Sequence, residues 1–411
     1  MRLLATIFFT AILSSVLSLG KSMASELNNN YFKSQNFSAT SVSDCKLLKP
    51  NINQGDDGET GSVGFPRSSY LAHSLGNRKG VVIHVDFPDA FAKKNQRRVW
   101  KQRQIATAEN HYRMTSYGRY KLQIDSTSKI YRLPTNSTFY NLDVAHDAPN
   151  HDGAKTREIV FDAMIAADAD VDFSKYDFVV IATPKSPALK LQGTVGAPSI
   201  PVDGVVFSLA ILAPFDAITE NEDAFKNTWL THNIGHILGL MHGFRPDYSD
   251  GTQPAAWDIM WNFAAQDDFI GWNKWKLGWI SDDQILCING FPSSPISKLL
   301  SPIGVKSKQT KMAVIKLNET SALVIEVRRK VRFDKISNKD EGVIVYRVDT
   351  RLGSNFGAYQ IISKPNKGKI VRPGFRTTLG TLKQGETFSF DGIKVRIIKS
   401  TKTGDTIKIS K

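Results

Sequence analysis

Gly80-Val-Val-Ile-His-Val-Asp86 is a short apolar run closed by Pro88, the pattern of a strand buried on both faces. From Lys93 to about Met114 the apolar positions change to helical spacing, and the pattern breaks at Tyr117-Gly118. Tyr120 to Leu133 alternates and predicts one or two strands. Ala154 to Ala167 places Ile159, Val160, Ala163, Met164 and Ala167 on one helical stripe. Tyr176 to Pro184 and Gly204 to Leu209 predict two more buried strands, and about Asp223 to Leu240 a helix closed near Gly243. Helices thus alternate with strands, which predicts an α/β or α+β unit built on one sheet.

After Trp279 the period changes. The runs 312–317, 322–327, 342–348, 387–390 and 393–398 are short, β-rich and separated by turn residues. They predict an all-β C-terminal domain, sandwich or barrel. At the other end, Arg2, the apolar stretch 3–19 and Ser22-Met23-Ala24 form the pattern of a secretory signal peptide over residues 1–25. An uncleaved membrane anchor is the rival reading. Residues 26–78, rich in Asn, Ser and Gly, read as an extended leader with little packing of its own. The expected organisation is therefore signal peptide 1–25, leader 26–78, α/β unit 79–280 and β unit 281–411, in a secreted or periplasmic protein.

Two cysteines, Cys45 and Cys287, in an oxidising compartment point to a disulfide between the leader and the start of the β unit. The alternative is a Cys45 thiolate masking a metal from a pro-segment. Charge refines the picture of the β unit. Of 53 Lys and Arg and 39 Asp and Glu, residues 281–411 hold 25 and 11, so the whole net charge of +14 resides there. This excess suits an anionic envelope surface as partner; a solvated basic face is the plainer reading. No aromatic-interleaved basic run accompanies it, so nucleic acid is not an expected partner.

The chemistry concentrates in His232-Asn-Ile-Gly-His236-Ile-Leu-Gly239-Leu-Met-His242, which holds three of the eight histidines. On a helix, residues four apart share a face, so His232 and His236 can address one ion. Gly239 permits a sharp turn that returns His242 as a third ligand. Three nitrogens with an open fourth position suit a catalytic zinc ion, Zn2+. In the zinc-peptidase motif His-Glu-x-x-His the glutamate is the general base. Asn233 occupies that position, and an amide cannot take a proton from water at neutral pH. Glu222 and Asp223, about ten residues upstream, are poor substitutes.

With these residues in hand, the chain resembles secreted bacterial metallopeptidases of the immune inhibitor A type, in the zincin group. The similarity runs through Val82-Ile-His-Val-Asp-Phe-Pro-Asp89, Ser116-Tyr-Gly-Arg-Tyr-Lys-Leu122, Tyr176-Asp-Phe-Val-Val180, the histidine segment, Trp257-Asp-Ile-Met260 and Trp272-Asn-Lys-Trp-Lys-Leu-Gly-Trp-Ile280. It continues more loosely through Glu326-Val-Arg-Arg and Gly342-Val-Ile-Val-Tyr-Arg-Val-Asp349, covering roughly residues 78–350. The resemblance implies a zincin-like domain of mixed sheet and active-site helix, followed by the β domain. It implies zinc on His232 and His236, with His242 at the third-ligand spacing, and Met260 in the turn beneath the metal. Asn233 departs from the family pattern. The expected function is a zinc-binding, metallopeptidase-like protein with lost or much reduced activity, acting on polypeptides as substrate or ligand. The alternatives are an active zinc endopeptidase using another carboxylate and a non-enzymatic binding or adhesion protein. The ligand and the oligomeric state are not legible in the sequence.

Overall fold

A computed structural model describes residues 41–49, 62–143, 154–214, 224–243, 257–261, 268–334, 336, 338–364 and 380–411. The signal peptide expected at 1–25, and Glu222 and Asp223, lie outside the described residues. Among the described residues no helix is long and apolar enough to cross a membrane.

The N-terminal half is built on a mixed sheet. Strand β1 (Gly76–Asp86) pairs in parallel with β2 (Tyr120–Arg132) on one side and β3 (Phe178–Thr183) on the other. Strand β4 (Gly193–Gly196) is an antiparallel edge on β5 (Leu209–Pro214), which is parallel to β3, giving the order β2-β1-β3-β5-β4. A helical stretch joins β1 to β2: α1 (Gln96–Val99), a π-helical turn Trp100–Ile105, then α2 (Ala106–Thr115). It ends where Tyr117 and Gly118 both take positive φ, so the break legible at Tyr117-Gly118 is a left-handed turn into β2.

The unbroken apolar runs are explained by cover on both faces of this sheet. Val81, Ile83 and Val85 pack with Ile159, Val160, Ala163 and Met164 of α3 (Thr156–Ala167). Val82 and Val180 face the opposite way, into a core with Trp100, Tyr112, Leu230 and Ile234, the last two on α4 (Ala224–Ile237). The strand expected at Gly204 to Leu209 is displaced. Asp203 and Gly204 turn the chain with positive φ, Val202 bridges Val205, and the paired strand starts at Leu209.

Beyond α5 (Gly271–Lys276) the chain is β-rich, as its pattern predicts. One sheet has the order β11-β10-β9-β8-β6, from β6 (Ile285–Asn289), β8 (Met312–Lys316), β9 (Ser321–Arg328), β10 (Gly342–Asp349) and β11 (Tyr359–Ile361). The other has the order β12-β13-β14-β7, from β7 (Ile296–Leu300), β12 (Thr387–Phe390), β13 (Ile393–Thr401) and β14 (Gly404–Ser410). Ile315, Ile325 and Val345 of the first share a core with Val395, Ile397 and Ile407 of the second, which makes the pair a sandwich.

The outer face of the first sheet is not solvated. Val314, Val324 and Tyr346 enter a core with Trp272 and Trp275 of α5 and with Cys45, Leu47, Val63 and Phe65. The composition of residues 26–78 suggests little packing, yet these four residues are buried. Two interactions hold them. Cys45 and Cys287 form a disulfide, which removes the thiolate alternative, and the Phe65 ring sits 5.4 Å from Trp272 and 4.8 Å from Trp275.

Candidate metal centre

Helix α4 runs through the core: every residue from Thr228 to Ile237 is buried. An amphipathic stripe is therefore absent there, as expected of a helix covered on every side. Its backbone is held from α2, where Tyr112 Oη donates to the Thr231 carbonyl at 2.8 Å. Its C-terminus closes by a paired motif: Leu240 N donates to Gly235 O at 2.9 Å and Gly239 N to His236 O at 2.8 Å. Gly239 has φ +84°, the left-handed conformation that this closure needs, and a side chain there would overlap Leu71. The chain reverses, and His242 comes back over the helix.

The three histidines meet through Nε2. His232 Nε2 lies 3.1 Å from His236 Nε2 and 3.0 Å from His242 Nε2, and the three ligand atoms all fall within 4.8 Å of one another. The far side of two rings is anchored: His232 Nδ1 to Ile259 O at 3.0 Å and His236 Nδ1 to Leu240 O at 2.8 Å. A carbonyl oxygen only accepts, so each Nδ1 carries hydrogen and each neutral ring presents its Nε2 lone pair to the common point. Lone pairs facing one another at about 3 Å repel unless a cation lies among them. The spacing is near the edge of about 3.3 Å that a tetrahedron with Zn–N of ~2.05 Å requires. Ring orientation fixed by a backbone carbonyl is also the usual outer support of metal-bound histidine. The donor set therefore fits a metal ion, and among the described residues it is the one His/Cys/Asp/Glu cluster that does.

Asn233 lies on the same helix, buried, with its amide occupied. Its Nδ2 donates to Trp229 O at 2.9 Å, and its Oδ1 is 3.4 Å from Thr194 Oγ1, which also donates to the Asn233 carbonyl at 3.2 Å. Thr194 belongs to the edge strand β4, so the sheet edge runs beside the position a general base would occupy. Asp258, next to the carbonyl that holds His232, accepts from Met260 N at 2.8 Å, Asn273 Nδ2 at 2.7 Å and Ile270 N at 3.3 Å. Burial outweighs these bonds and pushes its carboxyl up to about 7. Met260 itself packs on Gly235 of the helix.

The structure thus brings His232, His236 and His242 together as their spacing predicts, with Asn233 beside them. Thr194 and Ile259, which hold Asn233 and His232, carry no local signal: both are remote in sequence from the residue they hold, and they act through a hydroxyl and a backbone carbonyl. No family model matches the sequence, and no curated protein matches it.

Proposed function

We propose that this chain is a secreted zinc-binding protein on a zincin-like, metallopeptidase-related scaffold whose peptidase activity is lost or much reduced because Asn233 stands in place of the general base. The observation that carries the reading is the convergence of three Nε2 atoms with two of the rings locked by carbonyl acceptors. Zinc suits a site of three imidazoles with an open fourth position, and when bound it supplies Lewis acidity that brings the pKa of a coordinated water to about 7. The remaining chemistry belongs to the protein's own groups. Asn233 offers an amide already hydrogen-bonded to Trp229 O and Thr194, and it cannot accept and return a proton. A short antiparallel edge, β4, lies alongside, and an unpaired strand edge is a template for an extended polypeptide. Binding of peptide without turnover is the function this combination favours.

Secretion is supported by the Cys45–Cys287 disulfide. The basic excess of residues 281–411 adds attraction for anionic envelope polymers. Zinc content of the purified protein and zinc-dependent cleavage of casein test the proposal together. The expected result is one equivalent of zinc and no cleavage. Absence of zinc binding overturns the metal assignment, and chelator-sensitive cleavage by the wild type overturns the loss of activity.

A further inference from the structure

His242 is the ligand that the helix does not carry, so something else has to hold it. Asn355 N donates to the His242 carbonyl at 2.8 Å, and Tyr359 N donates to the Gly243 carbonyl at 2.9 Å. The Tyr359 ring lies against Gly243, where any β-carbon would overlap it. Both residues belong to the sandwich, Tyr359 as the first residue of β11. The buried Tyr359 hydroxyl donates to Asn273 Oδ1 at 2.7 Å, and Asn273 Nδ2 donates to Asp258 Oδ2 at 2.7 Å. The next residue along, Ile259, supplies the carbonyl that holds His232 Nδ1 at 3.0 Å. A closed circuit therefore runs from His232 through the 258–260 turn, Asn273 and Tyr359 to Gly243 and His242.

We infer that Tyr359 is a positioning residue for the metal centre, coupling the third ligand His242 to the turn that orients the first ligand His232, so that the β-sandwich completes the site. This rests on the proposed metal-binding reading. The physical reason is that the two rings are held from different parts of the chain. Fixing their separation requires a rigid link, and the Tyr359 hydroxyl, through Asn273, supplies one between the two holding segments. Groups bonded directly to metal ligands commonly change metal affinity ten- to a hundred-fold when removed, and the Tyr359 hydroxyl acts further out, so about tenfold is expected.

The test is the zinc affinity of the full chain, measured by competition with a chromophoric chelator, for wild type, Tyr359→Phe and Tyr140→Phe. Tyr140 is the control: it is buried in the core shared with α3, on the sheet face opposite α4, and its hydroxyl donates to Asp162 Oδ2 at 2.6 Å. Tyr359→Phe is expected to weaken zinc about tenfold and to alter the visible spectrum of the Co2+-substituted protein. Tyr140→Phe is expected to lower the melting temperature without moving either. If Tyr359→Phe does not fold, Asn273→Ala breaks the same circuit and carries the same expectation. Equal zinc affinity in wild type and the circuit variant, or an equal loss in Tyr140→Phe, overturns the inference alone. No zinc binding by wild type overturns the metal reading and this inference with it.

Discussion

The thioether of Met260 occupies the space that a β-carbon on Gly235 would need, with Met260 Cε only 3.1 Å from that position. Gly235 sits one residue before the ligand His236, so the helix and the turn that orients His232 touch through a glycine. Two effects of Gly235→Ala compete. Helix propensity favours alanine by about 1 kcal/mol. Overpacking a buried contact costs about 1–3 kcal/mol, and Met260 is itself buried and has little room to swing aside. The contact is close enough to put overpacking toward the upper end of that range, so net destabilisation of up to about 2 kcal/mol with weakened zinc binding is expected. Chemical denaturation of Gly235→Ala, Met260→Ala and the double variant checks this. Shortening Met260 should relieve part of the alanine penalty; additive effects would show that the contact is not what limits the site.

Restoring a carboxylate isolates the missing chemistry. In Asn233→Glu the side chain keeps an acceptor for Thr194 Oγ1 but no longer donates to Trp229 O, a bond that is 2.9 Å in the wild type. General acid–base catalysis is worth about 10²–10⁴-fold, so casein cleavage should rise by that order and vanish on adding a chelator. Zinc affinity should change little, because Asn233 does not hold a ligand ring. A variant that binds zinc as wild type does, yet cleaves nothing, would mean that more than the base has been lost.

The disulfide ties residues 242 apart in sequence, which is a long loop to close in the unfolded chain. Replacing both Cys45 and Cys287 by serine is expected to cost about 2–5 kcal/mol. The local consequence is specific: Val63 and Phe65 rest on Trp272 and Trp275, and Trp272 Nε1 donates to Val63 O at 2.8 Å. Loosening this segment should expose the indoles and shift tryptophan emission to the red. Unchanged emission with lowered stability would show that the segment stays docked without its covalent tie.

The sequence reports best on groups that act through local spacing. His232 and His236 are one helical turn apart, and Gly239 sits where the chain must reverse, so the three ligands are legible without coordinates. The runs ending at Asp86 and Thr183 are legible for the same reason: both faces of the strand are covered and every residue is apolar or nearly so. What holds the ligands and Asn233 is not legible. Ile259 contributes a carbonyl, Tyr359 comes from a three-residue strand, and Thr194 lies on a four-residue edge, all remote from the motif. Burial of Cys45, Leu47, Val63 and Phe65 is hidden for a different reason. Polar composition describes most of their segment, but these few residues decide its place.

Lys276 gives the site region a pH dependence. Its buried ammonium group donates to Gly239 O at 2.9 Å and to Ser62 O, joining the turn that ends α4 to the segment before Val63. Burial, reinforced by Arg67 and Lys49, pushes it down to about 7, against about 10.4 in an unfolded chain. Between these values the unfolded chain holds a proton that the folded chain lacks, so stability rises as pH increases from about 7 to about 10. Below about 7 both states are protonated and the burial penalty is present in full. The size of the effect is on the order of 4 kcal/mol. Lys311, also pushed down to about 7, adds a contribution of the same sign that persists in a Lys276 variant. In Lys276→Met the penalty disappears together with both hydrogen bonds. At pH 6 relief of the penalty exceeds the loss of the bonds, and the variant should be more stable than wild type by roughly 1–3 kcal/mol. At pH 10 only the bonds count, and the variant should be less stable than wild type by about 1–3 kcal/mol. Urea unfolding of both proteins at the two pH values decides it: a difference that does not change with pH would mean that Lys276 remains charged in the folded protein.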